Sequence, residues 1–86
     1  MTLQRSEQLW CKICGLTGVK DVTDTVSAGA SAIGLNFYPG SPRYVQPRVA
    51  QTLSLASATV ASNCQRVGLF VNATAADVNE VLARVE

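Results

Sequence analysis

The segment 9–15, with the sequence LWCKICG, is an apolar run that contains one lysine and ends at a glycine. Such a run predicts a short β-strand over residues 9–14. Two later segments have the same character. They are 32–38, which leads into a Pro-Gly-Ser-Pro loop, and 66–71, which ends next to an asparagine. The chain is therefore predicted to contain three strands.

Helical patterns separate and follow these strands. Valines at 19, 22 and 26 recur at helical spacing, with Thr17 as a predicted cap and Gly29 as a predicted stop. Pro47 suits the first turn of a second helix, and Thr74 with Asp77 resembles a capping box for a third. The order β-α-β-α-β-α predicts a parallel sheet with right-handed crossovers.

Alternate residues of a strand face opposite sides of the sheet. Each predicted strand has one wholly apolar face, which we expect to meet the helices. The other face mixes small and polar residues and carries Cys14, Asn36 and Asn72 near the carboxyl ends. The faces expected to meet the helices are Leu9, Cys11 and Ile13 in the first strand, Ile33, Leu35 and Phe37 in the second, and Val67, Leu69 and Val71 in the third.

Lysine and asparagine on a strand face are difficult to accommodate in a doubly wound sheet, because helices bury both of its faces. A closed barrel accommodates them better, because its inner face turns polar near the catalytic mouth. We therefore predict an α/β fold made of the first three β/α units of a (β/α)8 TIM barrel, over residues 9–86. Residues 1–8 are predicted to be a flexible lead-in. Such a barrel needs about 200 residues or more, so the chain is expected to stop before the barrel is complete.

Composition excludes several classes of function. The 86 residues are 48% hydrophobic and 15% charged, with a net charge of +1 and no histidine. Basic residues are scattered, so we predict no nucleic-acid partner. The apolar runs are too short for a membrane span, and the polar first residues do not suggest a signal peptide. Three cysteines without a secreted spacing favour a cytoplasmic chain with reduced thiols.

The Cys-x-x-Cys pattern of Cys11 and Cys14 raises the question of metal or redox chemistry. On a strand this offset places the two thiols on opposite faces, so we predict neither a metal site nor a disulfide. Cys11 is predicted to be a small core residue, and Cys64 to have a structural or an incidental role. Cys14, at the carboxyl end of its strand, is compatible with a catalytic thiol or an inert buried one. Lys12 shares its face and would either favour a thiolate or pair with an acid from a missing strand.

The loop that follows the second strand contains Ser41-Pro42-Arg43-Tyr44. Its prolines limit the entropy lost on binding, and the planar fork of Arg43 suits a carboxylate or a phosphate. From the loop alone, a solvated arginine is the commoner role. Asn72 would either line a site or form a hydrogen bond within the turn that follows the third strand. The glycines form neither a P-loop nor a dinucleotide fingerprint.

Four blocks in order, 12–17, 29–34, 41–45 and 67–72, resemble the N-terminal part of the phosphoribosylanthranilate isomerases of tryptophan biosynthesis. The resemblance covers roughly residues 9–86. It implies a cofactor-free (β/α)8 barrel that isomerises a phosphosugar–anthranilate by an Amadori rearrangement. It also implies that Cys14 is the general base and that Arg43 binds the carboxylate of the anthranilate.

The chain also departs from that family's pattern. The family's general acid is an aspartate of a later strand, whereas Asp21, Asp24 and Asp77 all fall in predicted helices. The phosphate-binding loops likewise lie beyond residue 86. Lys20 and Gln46 stand where better helix-start residues are usual. We therefore expect the fragment alone to be inactive and prone to self-association. The alternatives are a free-standing module that binds an anion through Arg43, or another phosphosugar barrel enzyme.

Overall fold

The computed structural model describes residues 10–85, so the predicted lead-in over 1–8 lies outside the described residues. The predicted alternation of strands and helices is confirmed, although the strands are shorter than expected at their ends. The elements are β1 Lys12–Cys14, α1 Val19–Ser27, β2 Ala32–Asn36, α2 Pro47–Val60, β3 Gln65–Leu69 and α3 Ala75–Arg84.

The three strands form one parallel sheet in the order β1-β2-β3. Ile13 of β1 lies beside Ile33 of β2, and Cys14 lies beside Gly34. On the other side of β2, Gly34 lies beside Val67 of β3. Paired residues of neighbouring strands share a face, so this register decides which side chains meet.

The hydrophobic core occupies one face of the sheet. Ile33 and Leu35 of β2 contact valines of α1 and apolar residues of α2, and both are almost completely buried. Each such burial stabilises the fold by about 1.5–3 kcal/mol. The core consists of Val22, Val26, Ile33, Leu35, Val45, Ala50, Leu53 and Cys64. The structural role predicted for Cys64 agrees with this burial.

The part of the structure around β3 and α3 is packed much less tightly. No residue of α3 is buried, and Leu82 on this helix is 54% exposed. A cavity of about 640 Å³ separates the helix from the sheet and is lined by Phe37, Gly68, Leu82 and Val85 among others. The third β/α unit therefore adds little to the core.

Local sequence signals set most of the helix ends. Gly29 follows α1 with φ +104°, a conformation that glycine adopts without penalty, and it acts as the predicted stop. At α3 the predicted capping box is confirmed. The Thr74 hydroxyl accepts a hydrogen bond from the Asp77 amide at 3.1 Å, and the Asp77 carboxylate accepts one from the Thr74 amide at 3.3 Å.

The first two helices begin without a side-chain cap. Pro47 opens α2 as predicted, but Gln46 before it makes no capping hydrogen bond. The predicted cap at Thr17 is wrong, because the extended backbone of Gly18 (φ −131°, ψ 152°) makes that glycine the N-cap residue of α1. α1 therefore begins with unsatisfied amide groups that solvent must hydrate.

The prediction for the two faces of the third strand is wrong. Gly34 lies beside Cys14 and shares its face, as does Asn36 two residues later on the same strand. Val67 lies beside Gly34 and Leu69 lies beside Asn36, so Val67 and Leu69 are also on the face of Cys14. The helix-facing side of β3 carries Gly68 instead. A Cβ atom there would come within 3.0 Å of the Phe70 ring and 3.2 Å of the Phe37 ring.

The physical reason for this reversal is the packing of two aromatic rings over the sheet. Phe37 and Phe70 stack with ring centroids 5.3 Å apart. The rings fill the space above Gly68, which only a residue without a side chain leaves open. Arg66, on the same face, reaches back to the carbonyl oxygen of Cys64 at 3.4 Å.

The expected burial of Cys11 is also wrong. Cys11 is exposed and precedes β1. Its backbone holds the neighbouring segment, since the amide donates to the Ser31 hydroxyl at 3.0 Å and the carbonyl accepts from the Ser31 and Ala32 amides. β1 lies at the edge of the sheet and the helices cover β2, so no described element covers the Cys11 thiol.

Candidate active site

A cavity of about 360 Å³ lies on the sheet face opposite the core, at the carboxyl ends of the strands. It brings together Cys14 and Arg43, the two residues singled out from the sequence, and it adds Lys12 and Asn36. Its lining residues are Lys12, Cys14, Gly15, Gly34, Leu35, Asn36, Arg43, Val67, Gly68 and Leu69.

Cys14 is the last residue of β1, and its thiol is exposed. A Cβ atom on Gly34 would lie 2.9 Å from the Cys14 sulfur, so the glycine leaves the space that the thiol occupies. Gly15 then turns the chain away with φ +79°, while its amide donates to the Gly34 carbonyl at 3.2 Å. Two glycines thus give the thiol both room and access to solvent.

Arg43 reaches the same place from the loop between β2 and α2. Its Cγ lies 3.3 Å from the position that a Cβ atom on Gly15 would take, so the side chain passes directly over that glycine. Its Nη1 donates a long, weak hydrogen bond of 3.5 Å to the Gly15 carbonyl. The guanidinium therefore lies against the residue that follows Cys14.

The loop that carries Arg43 is fastened by a side-chain network. Asn36 accepts a hydrogen bond from the Tyr38 amide at 2.8 Å and donates one to the Ser41 hydroxyl at 3.3 Å. The same hydroxyl accepts from the Arg43 amide at 3.0 Å. Val45 closes the loop by donating its amide to the Asn36 carbonyl at 2.9 Å.

The charge of the cavity is positive. Lys12 and Arg43 both line it, and no aspartate or glutamate of residues 10–85 does. Asp24 instead pairs with Lys20 on the surface of α1 at 2.6 Å. A cavity with two cations and no carboxylate favours an anionic ligand.

The described part of the chain offers no recognisable metal site. Within residues 10–85 no group of three or more histidine, cysteine, aspartate or glutamate side chains comes together to hold an ion. Cys11 and Cys14 are both free thiols.

Asn72 is not among the residues that line the cavity. The strand ends at Leu69, and Asn72 adopts φ +55° in the following bend. Asparagine tolerates this left-handed conformation better than most residues.

Sequence reasoning missed the walls and the loop network of the cavity. The sequence pattern predicts Val67 and Leu69 on the other face, although Gly68 between them is the signal of a close approach on the helix side. The position of Asn36 on the correct face was predicted, but its hydrogen bonds to the loop were not.

A parallel β/α sheet with helices on one side and polar groups at the carboxyl ends of its strands defines part of a β/α barrel, with a site at the mouth. The known proteins of similar sequence share one name. The chain is 53% identical over 74 residues to the N-(5'-phosphoribosyl)anthranilate isomerase of Bordetella petrii and 52% identical over 71 residues to that of Acinetobacter calcoaceticus. No protein-family model matches the chain.

Solved structures agree. A phosphoribosyl anthranilate isomerase from Thermotoga maritima superposes with a TM-score of 0.81 at 36% identity over 88% of this chain. A second, with the same TM-score, was solved in complex with reduced 1-(o-carboxyphenylamino)-1-deoxyribulose 5-phosphate. These matches confirm the predicted resemblance and the predicted fold, the first three units of a TIM barrel.

The match covers only part of those proteins. The chain spans 32% of the length of the Bordetella petrii and Acinetobacter calcoaceticus relatives and 36% of the Thermotoga maritima chain. None of the helices in residues 10–85 combines the length and the apolar character that crossing a membrane requires.

Proposed function

We propose that this chain supplies the first three β/α units of a phosphoribosylanthranilate isomerase. The reaction converts N-(5-phosphoribosyl)anthranilate into 1-(2-carboxyphenylamino)-1-deoxyribulose 5-phosphate, by an Amadori rearrangement in tryptophan biosynthesis. One observation supports this assignment above the others. Cys14 and Arg43 line a single positively charged cavity at the carboxyl ends of the strands, where barrel enzymes carry their catalytic groups.

Cys14 takes the role of general base. An acid opens the sugar ring by protonating its oxygen, which leaves an iminium at C1. The Cys14 thiolate then accepts the proton from C2, the C–H electron pair forms the enolamine, and tautomerisation gives the ketone. The space beside Gly34 and the exposure of the thiol allow a substrate carbon to approach it.

Arg43 takes the role of carboxylate ligand. The guanidinium lies over Gly15, next to the base, and makes no ion pair with a carboxylate among residues 10–85. A bidentate contact to the anthranilate carboxylate would satisfy it. Lys12, on the same face as Cys14, adds a second positive charge for a substrate that carries both carboxylate and phosphate.

The 86 residues alone are proposed to be catalytically inactive. The reaction needs an acid as well as a base, and no described carboxylate lines the cavity. Asp21 and Asp24 belong to α1 and Asp77 to α3. We propose that the general acid comes from outside residues 10–85, together with further groups that bind the phosphate. We further propose that the parent enzyme is cytoplasmic and needs no cofactor.

Self-association is the second expectation for the chain alone. In the described sheet β1 and β3 are the outer strands, and each presents an unpaired edge. Leu69 on the open face is 49% exposed. Analytical ultracentrifugation should find oligomers or a loosened state, and a monomer that unfolds cooperatively would contradict this expectation.

An anion-binding module without catalytic activity is the alternative. The pair of cations in a cavity without carboxylates favours it. Isothermal titration of the 86-residue chain with anthranilate separates the two proposals, because tight binding without any further segment would support the module.

The isomerase proposal is tested by grafting residues 10–85 into the Bordetella petrii enzyme, in place of its matching segment. The grafted protein should retain turnover within about tenfold of the recipient, a difference of ~1.4 kcal/mol in activation free energy. Arg43→Ala in the graft should raise KM by about tenfold to a hundredfold, because a charged hydrogen bond is lost. Arg48→Ala, on the exposed first turn of α2, is the control. A folded graft without turnover would contradict the proposal.

A further inference from the structure

The side chain of Asn36 uses both ends of its amide on the loop that carries Arg43. Its oxygen accepts from the Tyr38 amide at 2.8 Å, at the start of the loop, and its nitrogen donates to the Ser41 hydroxyl at 3.3 Å. That hydroxyl also accepts from the Arg43 amide at 3.0 Å. A continuous chain of hydrogen bonds therefore runs from the end of β2 to the backbone of Arg43.

The backbone reinforces this arrangement at both ends. Asn36 accepts from the Val45 amide through its carbonyl at 2.9 Å, and the Ser41 carbonyl accepts from the Tyr44 amide at 3.1 Å. Asn36 is itself half-buried at the end of the best-packed strand and lines the cavity. The loop is thus tied to a rigid position on each side of Arg43.

An amide is suited to this role because it offers an acceptor and a donor a fixed distance apart. Leucine, with a similar shape, offers neither. Serine at position 41 is needed for its hydroxyl, since that one oxygen receives both the Asn36 and the Arg43 hydrogen bonds. Threonine retains this oxygen, whereas alanine removes it.

We propose that Asn36 and Ser41 are positioning residues for Arg43, which set its guanidinium over Gly15 at a fixed place relative to the Cys14 thiol. They touch the loop and act through Arg43. The expected effect on substrate binding rests on the proposed role of Arg43 as the carboxylate ligand. The expected effect on the conformation of the loop that carries Arg43 does not depend on that role.

Hydrogen exchange of the ligand-free graft, in which the unpaired strand edges are covered by the rest of the barrel, tests whether these two residues hold the loop in place. In Asn36→Leu and in Ser41→Ala, the amides of Tyr38 and Arg43 should exchange at least about tenfold faster. Asn36→Leu removes the acceptor of the Tyr38 amide and Ser41→Ala removes that of the Arg43 amide, and both variants break the hydrogen bond between the two side chains. Ser41→Thr should restore slow exchange at Arg43. Asn63→Leu, at an exposed turn far from this loop, is the matched control. Unchanged exchange in both Asn36→Leu and Ser41→Ala would overturn the proposal.

Steady-state kinetics of the graft test the link to Arg43. Asn36→Leu and Ser41→Ala should each raise KM about threefold to tenfold with little change in kcat, because freeing a long side chain costs binding entropy. In an Arg43→Ala background the same substitutions should leave KM unchanged. An equal rise of KM in both backgrounds would overturn the positioning role.

The two proposals fail in different ways. If Arg43→Ala leaves KM at its original value, the assignment of Arg43 as carboxylate ligand is wrong. The exchange of the Tyr38 and Arg43 amides then still decides whether Asn36 and Ser41 hold the loop. If Asn36→Leu does not fold, the pair Ser41→Ala and Ser41→Thr gives the same answer from a half-buried position in the loop.

Discussion

β2 and β3 are neighbouring strands of the same sheet, yet they are packed very differently. All residues of β2 except the half-buried Asn36 are buried, whereas β3 has no fully buried residue. β2 lies between two strands and under α1 and α2, while β3 is an outer strand whose helix leaves a cavity of about 640 Å³. The comparison shows that the first two β/α units hold the fold together.

The candidate site follows the same division. Cys14 ends β1 beside the buried Gly34, and Arg43 lies in the loop fastened to Asn36 at the end of β2. β3 contributes the apolar wall of Val67 and Leu69. The residues proposed for the chemistry are therefore held by the rigid part of the chain, as an accurately positioned site requires.

The largest difference in stability should appear between matched leucines of α2 and α3. Leu53→Ala removes a side chain that is 1% exposed, and it should lower the free energy of unfolding of the graft by about 2–5 kcal/mol. Leu82→Ala, at a site 54% exposed, should cost less than about 1 kcal/mol. Urea unfolding measures both, and equal losses would contradict the division into a packed and a loose part.

A methyl group at Gly34 tests the contact between the packed strand and the thiol. The added Cβ would lie 2.9 Å from the Cys14 sulfur and 3.2 Å from its Cα, so Gly34→Ala must move the thiol from its place or shift the two strands slightly apart. We expect a loss of about 1–3 kcal/mol in unfolding free energy, and lower turnover in the graft. Gly18→Ala is the control, because a Cβ there meets nothing within 4 Å. Full turnover in Gly34→Ala would show that catalysis does not depend on the position of the Cys14 thiol beside Gly34.

Removing the capping box should loosen α3 without disturbing the core. Thr74→Ala leaves the Asp77 amide without its acceptor and should cost about 0.5–2 kcal/mol of helix stability. Amides of α3 should then exchange faster, while those of α1 and α2 remain protected. Thr59→Ala, which only removes a hydrogen bond to the Leu55 carbonyl within α2, serves as the comparison. Faster exchange throughout the core would show that α3 is coupled to it.

The smallest effect should come from the surface ion pair of α1. The hydrogen bond from Lys20 to Asp24, together with the carboxylate charge, raises the pKa of Lys20 above its ordinary value of 10.5. A raised pKa in the folded state means that the stabilisation is complete below pH 10.5 and is lost as the pH rises through the folded-state value. Both side chains are largely exposed, so we expect Lys20→Met to leave the melting temperature at neutral pH almost unchanged. A clear drop at neutral pH would mean that this pair matters more than its exposure suggests.

Several features were predictable because they depend on local chemistry. Gly29 as a helix stop, Thr74 with Asp77 as a cap and Cys14 at a strand end each follow from residues a few positions apart. The faces of β2 were also predictable, because Ile33 and Leu35 alternate with small and polar residues.

The remaining features depend on contacts between distant segments. Both faces of the third strand carry apolar residues, so its orientation is set by pairing with β2 and by the stack of Phe37 on Phe70. The exposure of Cys11 follows from the edge position of β1, which the strand itself does not encode. The hydrogen bonds of Asn36 depend on the shape of a loop that only the folded chain defines.

The most direct test of the proposed site compares the two cysteines of the Cys-x-x-Cys segment. In the graft, Cys14→Ala should lower kcat by about 10²–10⁴-fold, the usual contribution of a general base, with the circular dichroism spectrum unchanged. Cys11→Ala, which alters an exposed thiol before β1, should leave kcat unchanged. Near-normal turnover of Cys14→Ala, or an equal loss in both variants, would contradict the assignment of Cys14 as the base.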